Sequence, residues 1–208
     1  MIQDELKVRW QDVWRPYGTE SESDRVFDEL SAAYGAPDRH YHTLGHVADC
    51  LRTLDSCRND AEDAAAVEIA LWFHDAVYDT HAGDNEEQSA LWAVRELGGD
   101  GRANSVHRLI LATKHGATES SDRDDRLIAD IDLVILGKDE AIFWAYEDAI
   151  CREYAWVPET VFRTKRAEIL SRFLQRDRIY QTARFHEQYD AAARANLAAS
   201  IARLNSDH

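Results

Sequence analysis

The chain has 208 residues, 45% of them hydrophobic and 30% charged, and a formal charge of -15 at pH 7. This balance fits an ordinary globular domain and excludes a disordered chain. The acidity excludes broad electrostatic binding to a nucleic-acid backbone or an anionic membrane, but not capture of a small anion by a local cation.

Apolar residues recur at three-and-four spacing with almost no two-residue alternation, which predicts an all-α, single-domain helical bundle spanning residues 1–208. In chain order, the first helix runs from about Ile2 to Trp14 and stops at Pro16 and Gly18. The second starts after Ser21 and ends at Gly35. Thr43 reads as the N-cap of a helix carrying Leu44, Val47, Leu51 and Leu54. Asp60 is the expected cap of the next, whose apolar face holds Ala65, Ile69, Trp72, Phe73 and Ala76. Asp84 with Glu87 resembles a capping box for a helix ending at Gly98-Gly99. Further helices are expected over Asn104 to His115, Asp122 to Leu136, Asp139 to Tyr154, Pro158 to Gln175 and Tyr189 to Leu204. The sequence shows no repeat, linker or composition break. No leader and no apolar run of about 18 residues is found, so a cytoplasmic location is expected.

Histidines and carboxylates gather in RHYHTLGHVAD, WFHDAVYD, ATKH and ADIDLVILG, each on or beside an apolar helix. That pattern suits ligands projecting from several helices into a core. His42 and His46 are four apart and can reach one pocket from a helix start. His74 and Asp75 sit in an otherwise apolar run, where ionisable groups are costly unless paired or coordinated. Imidazole with carboxylate suits Mn²⁺, Fe²⁺, Co²⁺, Ni²⁺ or Zn²⁺ better than Ca²⁺; a hydrogen-bonded His-Asp pair is the plainer alternative. Lys114 and His115 end a helix that also holds His107; they suit either phosphate contact or helix capping. Cys50, Cys57 and Cys151 show no CxxC pairing and read as reduced, mainly core thiols. No phosphate-binding glycine loop or GxSxG is present.

The order H, HD, D over successive helices resembles the HD-domain superfamily of metal-dependent phosphohydrolases. RHYHTLGH, WFHDAVYD, NEEQSA, ATKH and DIDLVILG stand in the order of one uncharacterised bacterial branch, with a motif-bearing core over about 37–137. The resemblance implies His46, His74 and Asp75 as ligands of a divalent metal (Mn, Mg, Fe, Co, Ni or Zn), and an aspartate of DID as the fourth. Asp132 fits the family pattern better, with Asp130 as the alternative. YHTLGH is also similar to the YHNxxH of cyclic-nucleotide phosphodiesterases, which implies His42 as proton donor to a leaving group, although Thr43 replaces their Asn.

Glu86, beside Glu87, is expected to assist a ligand histidine or the bound water. Lys114 and His115 are expected substrate contacts, with Arg39, Arg152 and Tyr154 suggested as such by the resemblance alone. The expected activity is cleavage of a phosphate ester or anhydride of a small molecule, with a nucleotide as one option. A di-iron oxygenase using His115 with His42 or His107, and a non-catalytic metal- or nucleotide-binding signalling module, are the other readings.

Overall fold

A computed structural model describes residues 2–99, 101–114 and 120–206. The protein is all-α: ten α-helices, joined by two short 3₁₀ turns, make up its regular structure among the described residues. They are α1 (Ile2–Trp14), α2 (Glu20–Tyr34), α3 (Leu44–Cys57), α4 (Ala64–Phe73), α5 (Asn85–Leu97), α6 (Gly101–Ala112), α7 (Arg123–Asp132), α8 (Glu140–Glu153), α9 (Glu159–Leu174) and α10 (Ala183–Asn205). None of the described helices is long and apolar enough to cross a membrane. The chain divides into two compact units, Met1–Ile128 and Ala129–His208. No composition break marks this division because it falls inside α7.

In the first unit α4 is the central element. Its sequence AAAVEIALWF is apolar nearly all round, and every residue from Ala66 to Phe73 is buried. Such a helix has no solvent face and must be enclosed; α1, α3, α5 and α6 all pack on it. Trp10 of α1 stacks on Trp14 at 5.0 Å and meets Trp72 edge-on at 5.4 Å, while Phe27 of α2 meets Trp72 at 6.1 Å. Removing a side chain this size from such a core costs about 3–5 kcal/mol. The one charge in α4, Glu68, is neutralised by Arg9 (2.7 Å) and Arg58 (2.6 Å).

Caps decide where the helices start. A capping box forms at Thr19 and Glu22, so the helix starts at Glu20, ahead of the expected start after Ser21. Thr43 accepts from Gly45 N as expected. The box expected at Asp84 does not form; Asp84 accepts instead from Gln88 Nε2 at 2.9 Å. Asp63, not Asp60, caps α4, with its carboxylate on Ala66 N. Gly98 ends α5 at φ 80°, a conformation that favours glycine.

In the second unit α10 packs against α9 and against the 3₁₀ turn Leu133–Gly137, which also meets α8. Tyr180 Oη donates to Leu133 O at 3.0 Å, and Asn196 Nδ2 donates to both Leu136 O and Lys138 O at 2.9 Å. Gly137 permits this approach, since a Cβ there would come within 2.7 Å of Tyr189 Cβ. α10 begins at Ala183, about two turns before the expected Tyr189. The stretch Ala183–Gln188 is mostly polar, so apolar spacing understates the helix.

Candidate metal centre

α3 and the C-terminal end of α4 build the centre. Thr43 starts α3 so that His42 lies just outside it and His46 in its first turn, where the imidazole is only 4% exposed. α4 ends at Phe73, and His74 and Asp75 follow in a turn. This corrects the expectation that the HD pair lies within a helix. His74 keeps helical dihedrals and its N–H bonds Ala70 O, and Asp75 Oδ2 stands 2.9 Å from His74 Nε2.

His46 Nε2 and His74 Nε2 are 3.0 Å apart, and His46 Nε2 lies 3.6 Å from Asp75 Oδ2. Donors held about 2.1 Å from one ion stand ~3.0 Å apart at right angles and ~3.4 Å apart at the tetrahedral angle. The observed edges of 2.9, 3.0 and 3.6 Å lie close to these spacings.

His74 is also oriented for this. Its Nδ1 lies 2.9 Å from Leu71 O, an oxygen that only accepts, so Nδ1 carries a proton and Nε2 is turned toward the centre. There Nε2 faces the Asp75 carboxylate. A proton bridges one or two edges of such a triangle, whereas a divalent cation satisfies all three. Burial, with the Asp75 carboxylate adding to it, pushes the nearby Tyr34 phenol well above its ordinary value.

Arg39 is 8% exposed and fastens the turn. Its guanidinium donates to Asp75 O (2.6 Å), Ala76 O (2.9 Å) and His42 O (3.2 Å), with the Tyr34 and Tyr78 rings 5.1 and 5.5 Å away. The carbonyls and rings around this buried guanidinium give it a positioning role. Within NEEQSA the fastening residues are Asn85 and Ser89: Asn85 exchanges two hydrogen bonds with the Asp79 backbone (3.0 and 2.9 Å), and Ser89 Oγ accepts from Val77 N at 3.0 Å.

His42 is half-buried and stacks on Tyr78, with centroids 4.1 Å apart and planes at 28°; its ring is 6.0 Å from that of His46. Lys114 pairs with Glu87 and donates to Gly83 O at 3.2 Å. The Lys114 ammonium holds the Glu87 carboxyl below its ordinary range. Glu86 is half-buried and adds to the negative field around Lys114. His115 lies outside the described residues.

The two aspartates of DID differ sharply. Asp130 is fully buried, and its carboxylate accepts from Gln181 N (2.7 Å), Thr182 N (2.7 Å) and Thr182 Oγ1 (2.6 Å) at the start of α10. Asp132 closes α7 and is half-buried. Burial pushes the Tyr146 phenol up, and the Asp132 carboxylate adds to that against the opposing charge of Arg166.

One residue of the centre escaped sequence reasoning. Cys50 is 3% exposed, one helical turn beyond His46, and its Sγ lies 3.7 and 3.8 Å from the two ring nitrogens of His46. His46, Cys50 and His74 offer donor atoms within 4.8 Å of one another. The i,i+4 spacing of His46 and Cys50 in a predicted helix was the available signal. Comparison with protein-family models, curated proteins and solved structures returns no significant match to the chain.

Proposed function

We propose that the chain is a metal-dependent phosphohydrolase of the HD type, acting on a phosphate ester or anhydride of a small molecule. The observation that carries the reading is the buried convergence of His46 Nε2, His74 Nε2 and Asp75 Oδ2 at 2.9 to 3.6 Å from one another, a donor set suited to a divalent cation. A metal bound there lowers the pKa of a coordinated water, polarises the phosphoryl oxygen and offsets its charge. It also explains how so acidic a chain would receive an anion.

His46, His74 and Asp75 would hold the ion. Arg39 fixes the carbonyls on either side of the peptide that carries Asp75 into its turn, so that the carboxylate keeps its aim. His42, its ring plane set by Tyr78, is the proposed donor of a proton to the leaving oxygen, a role worth about 10²- to 10⁴-fold. Glu86 remains a proposed acceptor at the rim. The family resemblance, rather than the geometry of either unit, assigns Asp132 as the fourth ligand. The commitment of Asp130 to the start of α10 favours Asp132 over Asp130.

The test is a screen of phosphorylated metabolites and nucleotides with Mn²⁺, Co²⁺, Ni²⁺ or Zn²⁺ added, together with metal analysis. Phosphate release is expected from the native chain, and both turnover and stoichiometric metal are expected to be lost in His74→Ala. A native chain that takes up none of these ions overturns the proposal.

A further inference from the structure

We propose that Tyr34 is a positioning residue of this centre, its buried hydroxyl fixing the chain that enters His74-Asp75 as Arg39 fixes the chain that leaves it. The inference rests on the metal reading of the site but lies outside the H, HD, D pattern, which draws on no residue of α2.

The last four carbonyls of an α-helix have no partner within it. In α4 these belong to Ala70, Leu71, Trp72 and Phe73, and each is accounted for. Ala70 O accepts from His74 N and Phe73 O from Ala76 N, both at 2.9 Å, and Leu71 O takes His74 Nδ1, also at 2.9 Å. The turn itself supplies these three donors. Trp72 O accepts instead from Tyr34 Oη at 3.0 Å, a donor 38 residues earlier in the chain. Tyr34 is 1% exposed and Trp72 is fully buried, so water cannot stand in for the phenol. The backbone N–H of Asp75 is directed at the same phenol oxygen and partly offsets the upward push of burial on its pKa.

Tyr34 closes α2, and Gly35 opens the short loop that delivers Arg39. One segment therefore supplies both holds. Tyr34 grips the carbonyl two residues before His74, Arg39 grips those of Asp75 and Ala76, and the guanidinium lies 5.1 Å from the Tyr34 ring. His74 and Asp75 are suspended between the two. Ligands held in place before an ion arrives bind it more tightly, because less chain has to be ordered on binding.

Co²⁺ binding to Tyr34→Phe tests this, with Asp190→Asn as the control. Phenylalanine keeps the ring and removes only the hydroxyl. Asp190 is likewise a buried hydrogen-bonding partner, accepting from Ile179 N, but is not among the residues proposed for the centre. Loss of one hydrogen bond leaves a chain of ordinary stability almost wholly folded, so a merely structural role would keep the Co²⁺ affinity at its native value. Tyr34→Phe is expected to bind Co²⁺ about ten- to a hundredfold more weakly, and Asp190→Asn to bind it as the native chain does. Native affinity in Tyr34→Phe, or an equal loss in Asp190→Asn, overturns the role of Tyr34 and leaves the metal reading standing. If Tyr34→Phe does not fold, the Asp75 amide of the metal-free native chain decides: slow hydrogen exchange supports the hold, and exchange at the rate of an open chain overturns it. Failure of the native chain to bind Co²⁺ overturns both.

Discussion

Asp130 in the second unit and Asp75 in the first are both acids set among apolar helical residues, yet their surroundings are opposite. Asp130 is fully buried and faces three donors, two backbone N–H groups and a hydroxyl, at the positive end of α10. Asp75 faces two imidazole nitrogens, at 2.9 and 3.6 Å. The first carboxylate is committed to backbone and hydroxyl donors, and the second to groups that can also ligate a metal. Burial alone does not separate a structural acid from a functional one; what the oxygens face does.

The largest effect expected from this contrast is on stability. Asp130→Ala leaves donors at a helix N-terminus without their acceptor and is expected to cost roughly 3 kcal/mol or more, measured by urea unfolding, with the same loss whether or not metal is present. Asp75→Asn should change the metal-free stability by less than about 1 kcal/mol, because the amide keeps the side chain's size and one carbonyl acceptor. Equal losses in the two variants would erase the distinction.

Next in size is the linkage of metal to folding. Mn²⁺ or Co²⁺ at a hundred times its dissociation constant should stabilise the native chain by about 2.7 kcal/mol, seen as a raised Tm that a chelator reverses. At the same metal concentration Asp75→Asn should show little of this shift.

The smallest concerns Asp190, whose carboxylate accepts from Ile179 N (2.8 Å) and Arg194 Nε (2.6 Å). Burial opposes its ionisation but is outweighed by these partners and by His186, so its carboxyl lies below the ordinary aspartate value. A lowered folded-state pKa means stability that is present above the unfolded value near ~4 and is lost as pH falls through the folded value. Asp190→Asn is therefore expected to cost about 1 kcal/mol at neutral pH. The difference from the native chain should shrink below about pH 4, and a difference constant with pH would contradict the assignment.

Much of the helical pattern was legible because caps and breakers act locally. Thr43 starts α3 and Gly98 ends α5 where their chemistry dictates. The start of α10 was not legible, because its first turns are polar and owe their order to Asp130, some fifty residues earlier in the chain. In the centre, the sequence singled out His46, His74 and Asp75 but set the HD pair inside a helix. Cys50, with no closely spaced cysteine beside it, read as a core thiol.

The amino-acid order by itself determined an all-α protein and the grouping of histidines with acids, since periodicity, capping and residue type are properties of short segments. Only tertiary structure decided that α4 stops at Phe73, that Arg39 holds the following turn, and that Asp130 belongs to a helix start. It also put Cys50 beside two imidazoles. Each of these depends on which donor meets which acceptor across a long stretch of chain, a matter settled by packing rather than by sequence neighbours.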